Sequence, residues 1–249
     1  MMAACHSCRQ CILNNELIMT AIASNLQAVR RAIGEAAQQA DREASAITLL
    51  AVGKSFPAAA LREAYQAGQR AFGENYLQEA LEKIAALRGL PLEWHFIGPI
   101  QSNKTRAIAE NFSWVHSVDK LKIAERLSAQ RPDALPPLNV CIQVNVSGEP
   151  SKSGAAPEEV AQLAQEVARL PRLKLRGLMA IPAPADSLAA QRRPFAHLHG
   201  LMQHLRSLGL HVDTLSMGMS QDLKAAILEG ATIVRVGSAI FGPRNYREK

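Results

Sequence analysis

The sequence predicts an α/β protein built as a single (β/α)8 barrel, also called a TIM barrel. Short apolar segments alternate with amphipathic segments along nearly the whole chain, a pattern typical of βαβ units that form a parallel sheet. The segment TLLAVG (48–53) is a short apolar run with no in–out alternation, as expected for a strand that is buried on both faces. The length of 249 residues also matches the roughly 250 residues of a typical barrel.

The predicted elements follow one another in strict order. An opening helix over 22–39 carries apolar residues at helical spacing, beginning with Ile22, Leu26 and Val29. Eight strands come after it, and each of the first seven precedes a clear helix. The predicted strands are 48–53, 71–74, 93–98, 113–118, 138–146, 173–181, 211–217 and 232–237. The predicted helices between and after them are 58–68, 76–88, 101–110, 119–129, 157–169, 189–207 and 219–229, and a short tail ends the chain.

A doubly wound open sheet is the alternative topology for this alternation. It would require a glycine-rich phosphate loop after the first strand, whereas this chain continues with Lys54, Ser55, Phe56 and Pro57. We therefore favour the closed barrel, and we expect it to form one domain over residues 19–249.

Residues 1–18 are expected to be a disordered N-terminal extension, because Met19 looks like the natural start of the folded chain. Cys5, Cys8 and Cys11 have a spacing that could bind zinc or an iron–sulfur cluster. No fourth cysteine lies nearby and the segment lacks a glycine turn, so we predict no metal site. Cys141 lies in an apolar strand and is expected to be a buried small hydrophobe.

The composition argues against several classes of function. Apolar residues make up 48% and charged residues 20% of the chain, which is globular rather than disordered. The net charge of +6 is scattered and not interleaved with aromatic residues, so we expect no nucleic-acid binding. No apolar run approaches the roughly 20 residues of a membrane span, and no signal peptide is recognisable. We therefore expect a cytoplasmic protein.

The functional residues of such a barrel lie where its strands end, at their carboxyl side. The first strand ends at Lys54. A lysine that faces a barrel interior is partly desolvated, which favours the nucleophilic neutral amine and suits Schiff-base formation with an aldehyde. The alternative is a structural lysine that reaches solvent or pairs with a carboxylate such as Glu74. The position of Lys54 alone leaves both interpretations open.

The last two strands both end in glycine and serine residues. The segments LSMGMSQDLKAAI (215–227) and VRVGSAIFG (234–242) place Ser216, Ser220, Gly237 and Ser238 at strand-to-helix turns. Backbone N–H groups and serine hydroxyls at such turns can bind an anion, and barrels often bind phosphate after strands seven and eight. Ordinary helix capping would use the same groups, so the barrel position is what favours a phosphate.

A phosphate site and an amine that faces an aldehyde together describe pyridoxal 5′-phosphate (PLP). Strands one and eight become neighbours when the barrel closes, so the amine and the anion site are expected to lie close together. Arg235 lies two residues before Gly237. If it points into the barrel, it can reach the ring nitrogen of the cofactor.

Six ordered motifs resemble those of the pyridoxal phosphate homeostasis proteins, single-domain relatives of the alanine racemase N-terminal barrel. They are AVGKSFP, FGENYLQE, WHFIGPIQSNK, VNVSGEPSKSG, LRGLMAIP and LSMGMSQDLKAAILEGATIVRVGSAIFG. The resemblance covers about residues 21–246 and implies the barrel of PLP fold type III.

The resemblance also implies roles for individual residues. Lys54 would carry the cofactor, Arg235 would face the pyridine nitrogen, and Asn75 would lie near the cofactor. Phosphate contacts would come from Ser216, Ser220, Gly237 and Ser238. The chain departs from the usual pattern beside the lysine: the family typically has serine or threonine before it and threonine-lysine after it, whereas this chain has Gly53 and Ser55-Phe56.

The same residues argue for a carrier of PLP rather than an enzyme. An arginine disfavours a proton on the ring nitrogen, because two positive charges would be adjacent, and the ring is then a weaker electron sink. Racemases of this type add a tyrosine base from a C-terminal β domain, and we expect no such domain here because the sequence ends soon after its last predicted strand. Glu74, His95 and His116 remain as groups that could in principle transfer protons, although structural roles are commoner for such residues.

We therefore expect a non-catalytic protein that maintains the intracellular PLP supply and hands PLP to apo-enzymes. A monomer is expected, because the racemase dimer interface involves the missing β domain. The alternatives are a PLP-dependent amino-acid racemase and a cofactor-free aldolase that uses Lys54 to form a Schiff base with its substrate.

Overall fold

The computed structural model describes residues 20–148 and 153–243. Within them, eight parallel strands pair in chain order, and the last pairs with the first to close a barrel. This confirms the predicted fold class. The strands are β1 (Thr48–Val52), β2 (Ala71–Glu74), β3 (Glu93–Phe96), β4 (Trp114–Val118), β5 (Leu138–Gln143), β6 (Leu173–Met179), β7 (Thr214–Ser216) and β8 (Ile233–Val236).

Helices surround this barrel, one before β1 and at least one in each later connection. They are α1 (Ala21–Gln39), α2 (Ala58–Gln66), α3 (Leu77–Ala86), α4 (Thr105–Asn111), α5 (Leu121–Gln130), α6 (Val160–Ala168), α7 (Leu188–Ser207), α8 (Leu223–Leu228) and α9 (Ser238–Phe241). The first helix begins where Thr20 Oγ1 accepts the N–H of Ala23, a standard N-cap. It packs against α2, α8 and α9, so it lies where the first and the last helices of the barrel meet.

Neighbouring residues of each strand face opposite sides of the sheet. Leu49 and Ala51 belong to an apolar cluster shared with the helices, whereas Leu50 and Val52 belong to a second cluster inside the barrel. The interior cluster also contains Ala71, Ile97, Trp114, Cys141, Met179 and Ile233. The burial of Cys141 agrees with the sequence expectation, and it raises the pKa of this thiol to about 12, so the thiol stays protonated at neutral pH.

Most element boundaries agree with the prediction, but the predicted helix 219–229 is wrong at its start. Helix α8 begins at Leu223. Gly218 adopts a φ of 91°, and the Asp222 carboxylate accepts the N–H of Met219 over 2.6 Å. These two features fold the intervening residues into a turn that helical periodicity does not reveal.

Three other differences follow from local hydrogen bonds or short length. Strand β5 ends at Gln143 rather than at 146, because Val144 forms a bridge with Ala155 of the returning chain. The predicted helix 101–110 begins only at Thr105, after a turn closed by the N–H of Lys104. The predicted tail after β8 contains α9, a four-residue helix that is too short for a periodic pattern.

The predicted extension, residues 1–18 with its three cysteines, lies outside the described residues. No group of His, Cys, Asp and Glu residues able to hold a metal ion occurs within 20–148 and 153–243. Over the same ranges, no helix is long and apolar enough to cross a membrane.

Candidate cofactor-binding site

A cavity of about 330 Å³ opens at the carboxyl ends of the strands, within the size range of small-molecule sites, about 300–1,000 Å³. Six of the seven residues that the sequence singles out as cofactor contacts line it. They are Lys54, Asn75, Ser220, Arg235, Gly237 and Ser238. Val52, Ile97 and the segment 181–185 supply most of the apolar wall. The closure of β8 onto β1 is what brings these distant parts of the chain together.

Lys54 lies two residues after the end of β1 and is half-buried. It lies in a tight turn in which the N–H of Phe56 donates to the carbonyl of Gly53 over 3.0 Å. Ser55 adopts a φ of 68°, a left-handed conformation that non-glycine residues seldom take and that surrounding contacts must hold. The turn presents the lysine side chain to the cavity.

A buried ion network holds this turn on both sides of Lys54. Lys83 Nζ donates to the carbonyl of Gly53 over 2.7 Å and contacts Glu74 Oε1 at 2.8 Å and Glu79 Oε1 at 2.5 Å. The Glu79 carboxylate in turn accepts the N–H of Ser55 over 2.6 Å. The residues before and after Lys54 are therefore both hydrogen-bonded to one cluster of charges. Sequence reasoning missed Lys83, although its i,i+4 spacing from Glu79 on a predicted helix was a usable signal.

Glu74 is the most perturbed carboxyl of this network. Burial raises its pKa to about 7, and the neighbouring Lys83 opposes that rise. A Cβ added to Gly53 would lie 2.7 Å from Glu74 Oε1 and 3.0 Å from a methyl group of Leu61. The glycine before the lysine, where the family typically has serine or threonine, therefore leaves the space that this carboxylate fills.

Arg235 points into the barrel, as expected, and only 4% of it is exposed. Its Nη1 donates to the carbonyl of Ser216 over 2.5 Å and to Ser216 Oγ over 2.8 Å, and its Nη2 donates to the carbonyl of Ala180 over 2.8 Å. Burial lowers the pKa of this guanidinium to about 10, while Asp222 opposes the change. The group thus remains a cation at neutral pH, rigidly oriented at the cavity wall.

Ser216 is the one predicted contact that does not line the cavity. It is fully buried, and its hydroxyl lies between Arg235 Nη1 and His116 Nδ1. The structure thus brings Ser216 to Arg235 rather than to the cavity surface. The lining side chains that sequence reasoning did not select include Asp222 and those of 181–185, which are supplied by loops of irregular conformation.

Ser220, Gly237 and Ser238 form the part of the cavity that resembles an anion site. Ser220 lies three residues before α8, so it is not the cap of that helix, and its hydroxyl is exposed to the cavity. A Cβ on Gly237 would lie 3.2 Å from the carbonyl oxygen of Val52. This glycine lets the turn after β8 pack closely against the end of β1, next to Lys54.

Asn75 is a further polar residue in the lining of the cavity. Its Oδ1 is buried and has no hydrogen-bond partner in the described part of the chain, which costs free energy unless a ligand or water pairs with it. Its backbone is held by Gly98, where a Cβ would lie only 2.0 Å from the carbonyl oxygen of Asn75. An amine, a cation, serine hydroxyls and an amide side chain around an apolar floor fit PLP.

Fold and site together define a class, the barrel of the alanine racemase N-terminal domain, whose family model matches residues 19–245. Within that class, the chain is 64% identical over 228 residues to the pyridoxal phosphate homeostasis protein of Pseudomonas aeruginosa, covering 92% of this chain and 98% of the relative. The chain belongs to the family of pyridoxal phosphate homeostasis proteins.

Solved structures agree with this assignment. PipY of Synechococcus elongatus, with PLP bound, is 38% identical and superposes with a TM-score of 0.78, covering 89% of this chain and 100% of PipY. The alanine racemase of Corynebacterium glutamicum is 20% identical with a TM-score of 0.68 and covers 93% of this chain but 63% of the racemase. At that identity, the second likeness concerns the fold alone.

Proposed function

We propose that this chain binds PLP covalently through Lys54 and holds it in the cavity at the carboxyl ends of the strands. When bound, PLP supplies an aldehyde that condenses with a primary amine and a phosphate that requires hydrogen-bond donors. Lys54 provides the amine, Ser220 and Ser238 with the backbone at Gly237 provide donors, and Arg235 stands beside the ring. The observation that carries the proposal is that one cavity gathers all of these groups.

We further propose that the bound cofactor is stored and handed over to apo-enzymes rather than used for turnover. Lys54, Asp222 and Arg235 are the ionisable side chains among the described residues that line the cavity. The Asp222 carboxylate already accepts the N–H of Met219. Tyr65 and Tyr76 lie outside the cavity. A racemase needs a second base opposite the lysine, and these described residues offer no evident candidate.

Arg235 supports the same interpretation electrostatically. Its buried positive charge disfavours a second positive charge on an adjacent ring nitrogen. The ring is then a poor acceptor of electrons from a bound amino acid, which suits storage better than chemistry at the α-carbon. The names of the relatives, which refer to homeostasis, are consistent with this role.

Reduction with borohydride tests the covalent site. The loaded protein is expected to lose its yellow colour, and peptide mass spectrometry should then find the cofactor attached to Lys54. Lys54→Ala should carry no reducible cofactor, while the control Lys122→Ala, an exposed lysine on α5, should behave like the wild type. Attachment at another lysine would contradict the assignment.

Transfer and proton exchange together separate a carrier from a racemase. The loaded protein is incubated with an apo-enzyme that requires PLP, and with free amino acids in deuterated water. Recovery of enzyme activity in proportion to the PLP supplied, with no deuterium at the α-carbon, is expected. Rapid deuterium incorporation that depends on Lys54 would overturn the carrier role.

A further inference from the structure

A chain of polar side chains crosses the barrel interior beneath the cavity. Arg235 Nη1 lies 2.8 Å from Ser216 Oγ, which lies 2.7 Å from His116 Nδ1. His116 Nε2 lies 2.9 Å from His95 Nδ1, and His95 Nε2 lies 3.2 Å from Glu93 Oε2. Residues on β8, β7, β4 and β3 contribute to it. Because β4 and β7 are not neighbours, the contact between His116 and Ser216 must pass through the interior.

The carboxylate of Glu93 selects the direction of the hydrogen bonds between these side chains. A guanidinium can only donate, and a carboxylate can only accept. Ser216 accepts from Arg235, and its oxygen could accept a second hydrogen, so the Arg235 end alone leaves the next bond open. With Glu93 at the other end, Ser216 donates its own hydrogen to His116 Nδ1. His116 then donates from Nε2 to His95 Nδ1, which leaves the hydrogen of His95 on Nε2. That nitrogen lies 3.2 Å from Glu93 Oε2, an electrostatic contact that is not aligned as a hydrogen bond. The reverse order would turn an unprotonated nitrogen of His95 toward a carboxylate.

The surroundings favour this single arrangement. Both histidines are buried, and burial lowers the pKa of each, so both rings are neutral and carry one hydrogen. Trp114 stacks on the ring of His95 with 5.3 Å between centroids and donates from Nε1 to Glu93 Oε1 over 2.9 Å. Arg176 lies over Trp114, and Asp222 interacts electrostatically with Arg235. One packed unit thus holds the rings in place.

We propose that Glu93, His95 and His116 are positioning residues for Arg235, and that they set the orientation of the cation presented to a ligand in the cavity. The inference rests on the proposed PLP site, because it assigns Arg235 to the cofactor ring. Its distinctive consequence concerns a residue that lies far from the cavity. Glu93 is the first residue of β3, at the opposite end of the barrel, with 47% of its side chain exposed, and it does not line the cavity. A change there should nevertheless alter the retention of PLP.

The hydrogen positions are tested on the full-length protein, with and without PLP. Long-range ¹H–¹⁵N correlation spectra distinguish the two neutral forms of each histidine ring. His95 and His116 are both expected to carry hydrogen on Nε2 in wild-type protein. Hydrogen on Nδ1 of either ring would contradict the proposed order of hydrogen bonds from Arg235 to Glu93. This measurement does not depend on cofactor binding.

The coupling to the cavity is tested with Glu93→Gln, which keeps the shape but can donate as well as accept. PLP is expected to dissociate about five-fold faster or more, the range of ordinary coupling between sites, and His95 should become a mixture of both ring forms. Glu110→Gln, at an exposed ion pair on α4, is the matched control and should leave both readouts unchanged. Wild-type dissociation from Glu93→Gln would overturn the positioning role, whereas a wild-type protein that binds no PLP would overturn the proposed function instead.

Discussion

Lys83 Nζ lies 2.7 Å from the carbonyl oxygen of Gly53, the residue immediately before Lys54. A lysine on α3 thereby fixes the backbone from which the candidate cofactor lysine extends. The same ammonium group contacts Glu74 and Glu79, and only about 5% of the Lys83 side chain is exposed. Such a buried cluster stabilises the fold only when all of its partners are present.

Replacement of Lys83 by methionine is expected to destabilise the protein by about 3 kcal/mol near pH 8, because the buried carboxylate of Glu74 then loses the ammonium group that contacts it. The penalty should shrink near about pH 6, because Glu74, whose pKa burial has already raised to about 7, can be protonated and neutral there. Urea unfolding at both pH values measures the two penalties.

Lys122→Met serves as the control for this change, because Lys122 lies on the exposed face of α5. Its effect should stay within about 0.5 kcal/mol, as for most surface substitutions. Equal, small effects of Lys83→Met and Lys122→Met would show that the network contributes little to stability.

The barrel itself is predictable from the sequence because its strands are short apolar runs separated by amphipathic helical segments. Each of the eight predicted strands occurs, since burial on both faces demands such runs. The errors occur where backbone conformation depends on single contacts. The turn before α8 is set by Gly218 and by the bond between Asp222 and Met219, which leave no periodic trace in the sequence.

The cavity is also largely predictable, because strand order in a barrel tells which strand ends meet. That argument alone brings Lys54 and Arg235 together, as observed. Strand order does not show how deeply a side chain is buried. The sequence predicts Ser216 as a phosphate contact, whereas in the structure this residue lies beneath the cavity surface. Strand order also does not reveal Lys83, whose partners come from β1, β2 and its own helix.

Gly53→Ala is expected to destabilise the protein by about 1–3 kcal/mol, the usual cost of adding a methyl group to a packed site. The new Cβ would lie 2.7 Å from Glu74 Oε1, so the carboxylate would have to move out of its contact with Lys83. Thermal or urea unfolding measures the loss, and PLP retention should decrease in parallel because the turn that carries Lys54 shifts.

Gly34→Ala is the matched control, since it adds the same methyl group inside α1 with no atom within 4 Å. It should stabilise the protein by about 0.5–1 kcal/mol, because alanine is the better helix former. A Gly53→Ala variant that is as stable as Gly34→Ala would contradict the packing of Gly53 against Glu74.

The buried histidines make stability fall in acid. Burial lowers the pKa of His95 and of His116 from the ordinary 6.5, so below about pH 6.5 the unfolded chain takes up protons that the folded protein excludes. Their contribution is thus present above about pH 6.5 and is lost as the pH falls. Each excluded proton costs about 1.4 kcal/mol per pH unit. Glu74 acts in the opposite direction, because its raised pKa favours the folded state below about 7.

Replacement of His116 by glutamine is therefore expected to reduce the acid sensitivity, even where it lowers stability at neutral pH. The slope of the unfolding free energy against pH, measured by urea titration between about pH 5 and about pH 6.5, should become shallower by about one proton. His197→Gln, at an exposed position on α7, should keep the wild-type slope. An unchanged slope in His116→Gln would show that His116 is protonated in the folded protein.

Replacement of the serines in the candidate anion site should weaken the binding of the phosphate group but not that of the rest of the ligand. Ser220→Ala and Ser238→Ala each remove a hydroxyl that lines the cavity. Since hydrogen bonds to charged groups contribute about 1.5–3 kcal/mol, each change should weaken the binding of PLP about ten-fold or more. The binding of pyridoxal, which lacks the phosphate, should not change. Equilibrium dialysis with both ligands measures the difference, with the exposed Ser207→Ala on α7 as control. Equal losses for PLP and pyridoxal would place the phosphate elsewhere in the cavity.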